Sequence, residues 1–288
     1  MARTGTFLER LHAAAEANRS WLCVGLDPEP ARVPPALRSD DPLEWVPRFL
    51  AGIVESTQDL VCCYKPNLAF FEAFGPPGWE ALRRTLEAIP AGVPTLGDAK
   101  RGDTPHTMQA YARGLFERLG FDAVTANPFL GGDALEPLFA YPDRGVFVVC
   151  KTSNPGSGEL QDLPVRAPDG KEQPVYAHVA RRALSWDRHG TLGLVVGATY
   201  PAEVATVRAI APRVPFLIPG VGAQAGDLEA AVRAGVDASG RLAIVNASRS
   251  VLYAGSEPST WQHAARTEAE RLRGAIQGAT RMVAPRVG

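Results

Sequence analysis

A chain of 288 residues with 45% hydrophobic side chains is long enough for one large domain or two of ordinary size, and apolar enough to bury a core. Its 30 basic and 31 acidic residues leave a formal net charge of −1 without a basic run, which argues against a nucleic-acid partner. No apolar stretch approaches the roughly 20 residues that a membrane-spanning helix needs. We therefore expect a cytoplasmic globular protein with neither nucleic acid nor membrane as its partner.

The first predicted element is an amphipathic helix over residues 6–19. Phe7, Leu11 and Ala15 recur at the spacing of one helix face, with charged residues between them. A signal peptide would need an uninterrupted apolar core, which this segment lacks. We therefore predict a lead-in helix ahead of the first strand.

Eight short apolar runs alternate with longer amphipathic segments along the rest of the chain. The runs are rich in Val, Ile and Leu without polar alternation, which is typical of parallel strands buried on both faces. They span residues 21–26, 60–64, 93–96, 123–125, 146–150, 192–196, 215–218 and 242–245. Helical periodicity lies between them, at residues 45–56, 79–88, 176–185, 202–210 and 227–234.

This alternation predicts an α/β fold, a (β/α)8 TIM barrel, with residues 1–288 as a single domain. A doubly wound open sheet is the alternative, but the G-x-G-x-x-G fingerprint does not follow the first strand. Residues 153–173 are the longest stretch without periodicity and are rich in Gly, Pro and Asp, so we predict a loop insertion over the active-site rim. The tail after Gly274 carries little pattern.

The four cysteines, Cys23, Cys62, Cys63 and Cys150, all lie in apolar runs. None has the spacing of a metal site, and the chain has no C-x-x-C pair, so a zinc or redox role is disfavoured. We predict buried, reduced thiols that pack as small apolar side chains.

An acid, a base and a second acid occur together in the stretch 96–103, where the third apolar run meets a loop. Asp98 and Lys100 are two residues apart and would share one face of a strand. Gly102 then permits a turn that redirects Asp103. A solvated cluster of surface ion pairs is the alternative interpretation of such a charge triplet.

Lysine is rare in this chain, which favours arginine. Only four of the 30 basic residues are lysines, and three of them, Lys65, Lys100 and Lys151, lie at the ends of predicted strands. Lysine can shift its pKa and exchange a proton at working pH, whereas a guanidinium stays charged. The placement of the lysines therefore favours chemistry that arginine cannot perform.

Polar residues follow nearly every predicted strand. In a (β/α)8 barrel the loops at the carboxyl ends of the strands build the functional site, so these residues are expected to meet at one rim. In chain order they are Asp27, Lys65, Asn67, Asp98, Lys100, Asp103, Asn127, Lys151, Thr152, Ser153, Asn154, Thr199, Gln224, Asn246, Ser248 and Arg249.

The loops after the last two predicted strands have the composition of a phosphate site. Gly220 and Gly222 allow backbone N–H groups to approach a ligand, and Arg249 can hold an oxyanion through two parallel hydrogen bonds. Loops at these positions are the usual phosphate site of such barrels, and Gln224 lies beside them. The alternative is that the glycines only form a turn.

Two acids and two lysines beside a phosphate site indicate work on a small phosphorylated metabolite. A Schiff-base aldolase would need a lysine in a desolvated pocket, but Lys100 is flanked by Asp98 and Asp103, whose charges suit an ammonium group. A proton donor at a developing carbanion fits better, with a carboxylate leaving as carbon dioxide. Because the lysines already supply positive charge, we predict that no metal is needed.

Six motifs resemble, in order, those of the orotidine 5'-phosphate decarboxylases, in the longer bacterial (type 2) branch of that family. They are V-G-L-D-P at 24–28, Y-K-P-N at 64–67, D-A-K-R-G-D-T at 98–104 with Thr107, K-T-S-N-P-G at 151–156, V-G-A-T at 196–199, and P-G-V-G-A-Q at 219–224 followed by S-R-S at 248–250. The resemblance spans residues 21–254. It implies a cofactor-independent conversion of orotidine 5'-monophosphate to UMP and carbon dioxide, the last step of pyrimidine nucleotide synthesis.

The resemblance also implies catalytic roles for individual residues. Lys65, Asp98, Lys100 and Asp103 would form an alternating charged network. Within it, Lys100 would donate a proton to C6 of the pyrimidine, and Asp98 would lie near the substrate carboxylate. Asp103 and Thr107 would enter the site of the neighbouring subunit, which makes a homodimer the functional unit.

The remaining implied roles are contacts to the substrate. Asp27 and Lys65 would bind ribose hydroxyls, Ser153 the pyrimidine edge, and Gln224 with Arg249 the phosphate. The other residues expected to contact substrate are Asn67, Asn127, Pro219, Gly220, Gly222 and Ser248.

Two alternatives remain open at the level of sequence. Keto-gulonate phosphate decarboxylases and hexulose phosphate synthases share the D-x-K-x-x-D pattern but use magnesium and sugar phosphates, and they are expected to carry Glu where this chain has Lys65. A barrel that binds a nucleotide without catalysis is the second alternative. Binding alone would not need such crowding of charge, which disfavours it.

Overall fold

The computed structural model describes residues 5–167, 169–220 and 225–283. Its strands are β1 (Leu22–Gly25), β2 (Cys63–Lys65), β3 (Leu96–Arg101), β4 (Ala123–Ala126), β5 (Gly145–Lys151), β6 (Pro164–Arg166), β7 (Glu172–Pro174), β8 (Leu192–Val196), β9 (Phe216–Ile218) and β10 (Ala243–Ala247). Its α-helices are α1 (Phe7–Ala17), α2 (Pro42–Thr57), α3 (Leu68–Glu72), α4 (Pro76–Glu87), α5 (Pro105–Ala112), α6 (Gly132–Phe139), α7 (Gly158–Gln161), α8 (Val175–Trp186), α9 (Pro201–Ile210), α10 (Ala225–Gly235), α11 (Arg249–Leu252) and α12 (Trp261–Arg281).

Eight parallel strands form a nearly closed barrel with helices between them. Their order is β2-β1-β10-β9-β8-β5-β4-β3. Two isolated bridges, Tyr64 to Thr95 and Asn67 to Asp98, join the outer strands β2 and β3. The predicted (β/α)8 barrel is confirmed, since the buried apolar runs pair in parallel and the amphipathic segments cover them. No helix in the described part of the chain is long and apolar enough to cross a membrane.

Helix α1 closes the amino-terminal end of the barrel. Thr6 and Glu9 form a capping box, in which each side chain accepts a hydrogen bond from the other residue's backbone N–H. Phe7 meets Phe147 of β5 edge to face, with 5.7 Å between ring centroids, in a cluster that also holds three cysteines. The predicted lead-in helix is therefore confirmed, and it covers the amino-terminal end of the barrel. All four cysteines are free and buried, as expected.

The third barrel strand begins later than its apolar run suggests. We predicted residues 93–96, but β3 runs from Leu96 to Arg101. Val93 and Thr95 are buried ahead of the strand, and the charged residues continue it into the mouth of the barrel. Asp98 and Lys100 therefore belong to the strand itself, where the barrel wall fixes their positions.

The carboxyl-terminal segment contains a long helix that the sequence pattern did not reveal. Helix α12 continues to Arg281, beyond Gly274, where the sequence shows little pattern. Three of its six buried residues are alanines, and Gly274 and Gly278 lie inside it, where glycine lowers the intrinsic helix propensity. Trp261 anchors it on α2 by contact with Phe49, at 5.3 Å between ring centroids.

The stretch 153–173 contains more regular structure than its composition indicates. A 3-10 turn at Pro155–Ser157 leads into α7, and β6 and β7 then form an antiparallel hairpin. These elements are short and exposed, so they carry little hydrophobic periodicity.

Candidate active site

A cavity of about 720 Å³ opens at the carboxyl ends of the barrel strands. Val195 and Leu217 form its apolar floor. Ten predicted site residues line it: Asp27, Lys65, Asn67, Asp98, Lys100, Ser153, Pro219, Gly220, Ser248 and Arg249. The other residues around it are Glu29, Arg32, Phe70, Asn246, Ser250 and Tyr253. Side chains from several strands thus converge on one space large enough for a nucleotide-sized ligand.

Lys65, Asp98 and Lys100 form a lysine–aspartate cluster on one wall of this cavity. Nζ of Lys65 lies 3.0 Å from Oδ2 of Asp98, and Nζ of Lys100 lies 2.5 Å from Oδ1. The Lys65 side chain is 4% exposed and that of Asp98 is 10% exposed, whereas Lys100 is 48% exposed toward the cavity mouth. One carboxylate therefore holds two ammonium groups, and only one of them is open to solvent.

The charges in the cluster stabilise one another against burial. Burial opposes ionisation of Asp98, but Lys65 and Lys100 outweigh it and hold the pKa of that carboxyl well below its usual range. Burial also opposes charge on Lys65, yet Asp27 and Asp98 raise its pKa above the ordinary lysine value. The stabilisation is therefore lost only as pH falls through the lowered Asp98 pKa or rises through the raised Lys65 pKa.

Asp27 connects the first two strand ends. Its Oδ1 accepts a hydrogen bond from the backbone N–H of Asn67 at 3.2 Å. The Asn67 side chain in turn caps α3 by accepting from the N–H of Ala69 at 3.1 Å. Both side chains are thus held in place by the backbone around the cavity before any ligand arrives.

Tyr253 is a cavity residue that the sequence did not single out. Its hydroxyl accepts a hydrogen bond from the N–H of Glu29 at 2.7 Å and donates to the carbonyl of Asp27 at 2.9 Å. The guanidinium of Arg32 lies over its ring, 4.7 Å from the centroid. Tyr253 therefore ties the loop after β1 to α11, although more than two hundred residues separate them in the chain.

The part of the cavity that follows β10 is suited to an anion. Arg249 begins α11, and Ser248 lies so close to β1 that a Cβ on Gly25 would come within 1.9 Å of its hydroxyl oxygen. Ser250 Oγ is buried and has no hydrogen-bond partner among the described residues. A buried hydroxyl beside a guanidinium leaves donors that an oxyanion would satisfy.

Ser153 is wedged between two glycines at the ends of neighbouring strands. A Cβ on Gly197 would lie 2.7 Å from its backbone nitrogen, and one on Gly220 would lie 3.0 Å from its Oγ. Gly220 also has a φ of +92°, which favours glycine. These positions keep the Ser153 hydroxyl at the cavity edge, and we expect larger residues there to displace it.

Lys151 does not line the cavity but anchors the insertion beside it. Its side chain is 1% exposed, and its Nζ lies 2.6 Å from Oδ1 of Asp162, at the end of α7. The ring of Tyr200 lies 5.1 Å from the ammonium. Gln161 adds hydrogen bonds to Thr152, including one of 2.9 Å from its Nε2. The buried lysine therefore fixes one end of the insertion next to Ser153.

Replacing Asp162 by Asn should loosen this anchor. The change leaves the buried Lys151 ammonium without its counter-charge, at a cost of about 1–2 kcal/mol because Asp162 is half exposed. We expect trypsin to cut the native protein at Arg166 and Lys171 roughly tenfold faster. Glu159→Gln is the matched control, since Glu159 is an exposed acid on α7 of the same insertion. Equal cleavage rates in both variants would contradict the anchoring role.

Three predicted residues lie outside the cavity of their own chain. Asp103 Oδ1 accepts from the N–H of Thr104 at 2.7 Å, and Thr107 lies 3.5 Å from the Thr104 hydroxyl. Asn127 is exposed, and its Oδ1 accepts from the N–H of Phe129. Gly222 and Gln224 lie outside the described residues. The expected four-membered network therefore has three members within the chain, and the turn at Gly102 carries Asp103 away from it.

Within residues 5–167, 169–220 and 225–283, no group of His, Cys, Asp or Glu side chains is arranged to hold a metal ion. Asp27, Glu29 and Asp98 are the carboxylates that line the cavity. Asp98 is occupied by two lysines, and Asp27 accepts from a backbone N–H. The cationic side chains Lys65, Lys100, Arg32 and Arg249 outnumber these acids, so the cavity suits an anionic ligand.

Comparisons with known proteins agree with this geometry. A family model described as "Orotidine 5'-phosphate decarboxylase / HUMPS family" matches residues 20–264. An orotidine 5'-phosphate decarboxylase of Roseiflexus sp. (strain RS-1) is 52% identical over 275 residues, covering 95% of this chain and 98% of the relative. Its counterpart in Roseiflexus castenholzii is 53% identical over 278 residues, covering 96% and 99%. The solved OMP decarboxylase of Leishmania donovani has a TM-score of 0.82 at 40% identity, covering 96% and 99%. The chain belongs to the orotidine 5'-phosphate decarboxylase / HUMPS family.

Proposed function

We propose that this protein decarboxylates orotidine 5'-monophosphate to UMP and carbon dioxide without a cofactor. The observation that carries the proposal is the lysine–aspartate cluster, with its partly exposed Lys100 ammonium, in the same cavity as Arg249 and Ser250. The substrate carries an anionic group at each end, a carboxylate on the pyrimidine and a phosphate on the ribose, and the cavity offers a cation for each. The names of the relatives support the same reaction.

The reaction needs no redox change. The bond from C6 to the carboxylate carbon breaks, carbon dioxide leaves, and the electron pair stays on C6. The Lys100 ammonium stabilises this carbanion electrostatically and then donates its proton to C6, and solvent reprotonates the amine afterwards. Asp98 holds Lys100 in place and faces the substrate carboxylate. Repulsion between the two carboxylates raises the free energy of the bound substrate more than that of the transition state, in which the carboxylate loses its charge.

The rest of the cavity would bind the parts of the substrate that do not react. Asp27 and Lys65 suit ribose hydroxyls, and Ser153 the edge of the pyrimidine. Arg249 suits the phosphate. Asn67, Pro219, Gly220 and Ser248 would supply further contacts within the cavity. Asn127, Gly222 and Gln224 stay predictions from the sequence. Binding energy from the phosphate end can orient C6 against Lys100.

The functional unit we propose is a homodimer. Asp103 and Thr107 lie outside their own chain's cavity and are partly exposed, so they are free to reach a neighbouring site. Phe129, which is 85% exposed, lies close by in the chain after Asn127 and offers apolar surface for a subunit contact. In that arrangement each active site draws residues from both subunits.

The cytoplasm is the compartment we propose for this reaction. Cys23, Cys62, Cys63 and Cys150 are all free thiols, and disulfides are rare in the reducing cytosol. Burial in apolar surroundings raises the pKa of the Cys23 and Cys150 thiols. Buried thiols with a raised pKa are unreactive, so these side chains contribute to packing in the core.

Decarboxylation or aldol chemistry on a sugar phosphate with magnesium is the competing function. It would place a carboxylate at the end of β2, but Lys65 occupies that position and pairs with Asp98 at 3.0 Å. An ammonium there would repel a divalent cation. The cluster therefore favours the nucleotide substrate.

The proposal is tested by mixing orotidine 5'-monophosphate with chelator-treated protein and following its ultraviolet absorbance. We expect the substrate spectrum to change to that of UMP with release of carbon dioxide, and added magnesium to have no effect. A sugar phosphate with magnesium is the comparison substrate. Turnover of that substrate alone, or dependence on magnesium, would overturn the proposal.

A further inference from the structure

The register between β3 and β4 shifts beside the lysine–aspartate cluster. Gly97 pairs with Val124 and Arg101 pairs with Ala126, so β3 has two more residues than β4 between these pairs. Lys100 lies in this bulge with a φ of +46°, a conformation that residues with side chains seldom adopt. Such strain persists only where the surroundings hold it, and it is often found at functional sites.

Thr125 of β4 lies opposite the bulge and is 1% exposed. The backbone N–H of Lys100 donates to its Oγ1 at 2.9 Å, and the hydroxyl donates to Oδ1 of Asp98 at 3.0 Å. The same carboxylate oxygen accepts from Nζ of Lys100 at 2.5 Å. One hydroxyl therefore connects the strained backbone of Lys100 to the carboxylate that holds its own ammonium.

We propose that Thr125 is a positioning residue for proton transfer by Lys100, an inference that rests on the proposed function. The bulge leaves the Lys100 N–H without a backbone acceptor on β4, and the Thr125 hydroxyl takes the place of that acceptor. The same hydroxyl fixes the rotation of the Asp98 carboxylate. Together these bonds determine where Nζ stands in the cavity. Since effective proton transfer needs alignment within fractions of an ångström, loss of this hydroxyl acts on the chemical step more than on substrate binding.

The fold supplies a matched buried threonine at the other end of the barrel. Thr95 is also 1% exposed, and its hydroxyl donates to Oδ2 of Asp122 at 3.1 Å. It does not line the cavity. Thr95→Val therefore removes a buried hydroxyl bonded to a buried carboxylate while leaving the cluster intact.

The test compares Thr125→Val, Thr125→Ser and Thr95→Val in steady-state assays with orotidine 5'-monophosphate. Thr125→Val keeps the shape and should lower kcat about 30- to 100-fold with KM within about threefold, because only the chemical step loses alignment. Thr125→Ser restores the hydroxyl and should return kcat to within about threefold of wild type. Thr95→Val should lower the urea midpoint of unfolding but leave kcat unchanged.

A second readout does not depend on turnover. Hydrogen exchange of the Lys100 amide should become at least about tenfold faster in Thr125→Val and stay protected in Thr125→Ser. An active wild type with unchanged kcat in Thr125→Val would overturn the positioning role alone. An inactive wild type would overturn the proposed function and with it the catalytic role of Thr125, whatever the exchange rates. Equal exchange in all variants would contradict the hydrogen-bonded arrangement itself.

Discussion

Lys100→Ala is expected to lower kcat for orotidine 5'-monophosphate by about 10⁴-fold or more, because both the charge beside C6 and the donated proton are lost. The affinity for UMP should change far less, since Arg249 and the ribose contacts remain. The fold should survive as well. Lys65 still pairs with Asp98 after the change, so no buried carboxylate is left without a partner.

Two further variants separate the contributions of charge and proton. Lys100→Arg keeps a cation but supplies a group that does not give up its proton at working pH, so kcat should remain severely reduced. Lys171→Ala is the control, because Lys171 is 84% exposed on the insertion and should retain wild-type kcat. Retention of kcat within about tenfold in Lys100→Ala would contradict the role of Lys100 as proton donor. Stopped-flow absorbance, with circular dichroism to verify folding, provides the measurements.

The sequence predicts the barrel well where signals are local. The run 192–196 coincides with β8, because a short continuous apolar segment flanked by Gly and Thr can only be buried on both faces. The third strand was misplaced because Val93 and Thr95 are buried by packing outside the strand. Helix α12 was not predicted, because Gly274 and Gly278 lie inside it and glycine lowers the intrinsic helix propensity. Strand boundaries and glycine-containing helices thus depend on contacts that no local window contains.

The same division applies to the cavity. The sequence was enough to predict Asp27, Lys65, Asp98 and Arg249 as site residues, because the strand ends meet at one rim in any (β/α)8 barrel. Thr125, by contrast, looks like an ordinary strand residue, and its importance arises from the register shift between β3 and β4. Tyr253 likewise acts on a loop at the other end of the chain. Residues that position others are defined by long-range register, which composition and spacing do not encode.

Mixing two inactive variants is expected to restore activity if each site is shared between subunits. Asp103→Ala should be nearly inactive alone, as should Lys100→Ala. In a mixed dimer, one site contains Lys100 from one subunit and Asp103 from the other and is therefore intact, while the second site carries both changes. Random reassociation should then recover about a quarter of wild-type activity.

The matched control is a mixture of Lys65→Ala with Lys100→Ala. Both residues belong to the cluster of a single chain, with Asp98 between them, so every site in every mixed dimer keeps one change and no activity should return. The structure also offers a local role for Asp103, which accepts a hydrogen bond from the N–H of Thr104. If Asp103 acted only within its own chain, its mixture with Lys100→Ala would stay as inactive as the control. Recovery with Asp103→Ala and Lys100→Ala, but not with Lys65→Ala and Lys100→Ala, therefore shows that the site is shared between subunits. It excludes a role for Asp103 that is confined to the turn of its own chain.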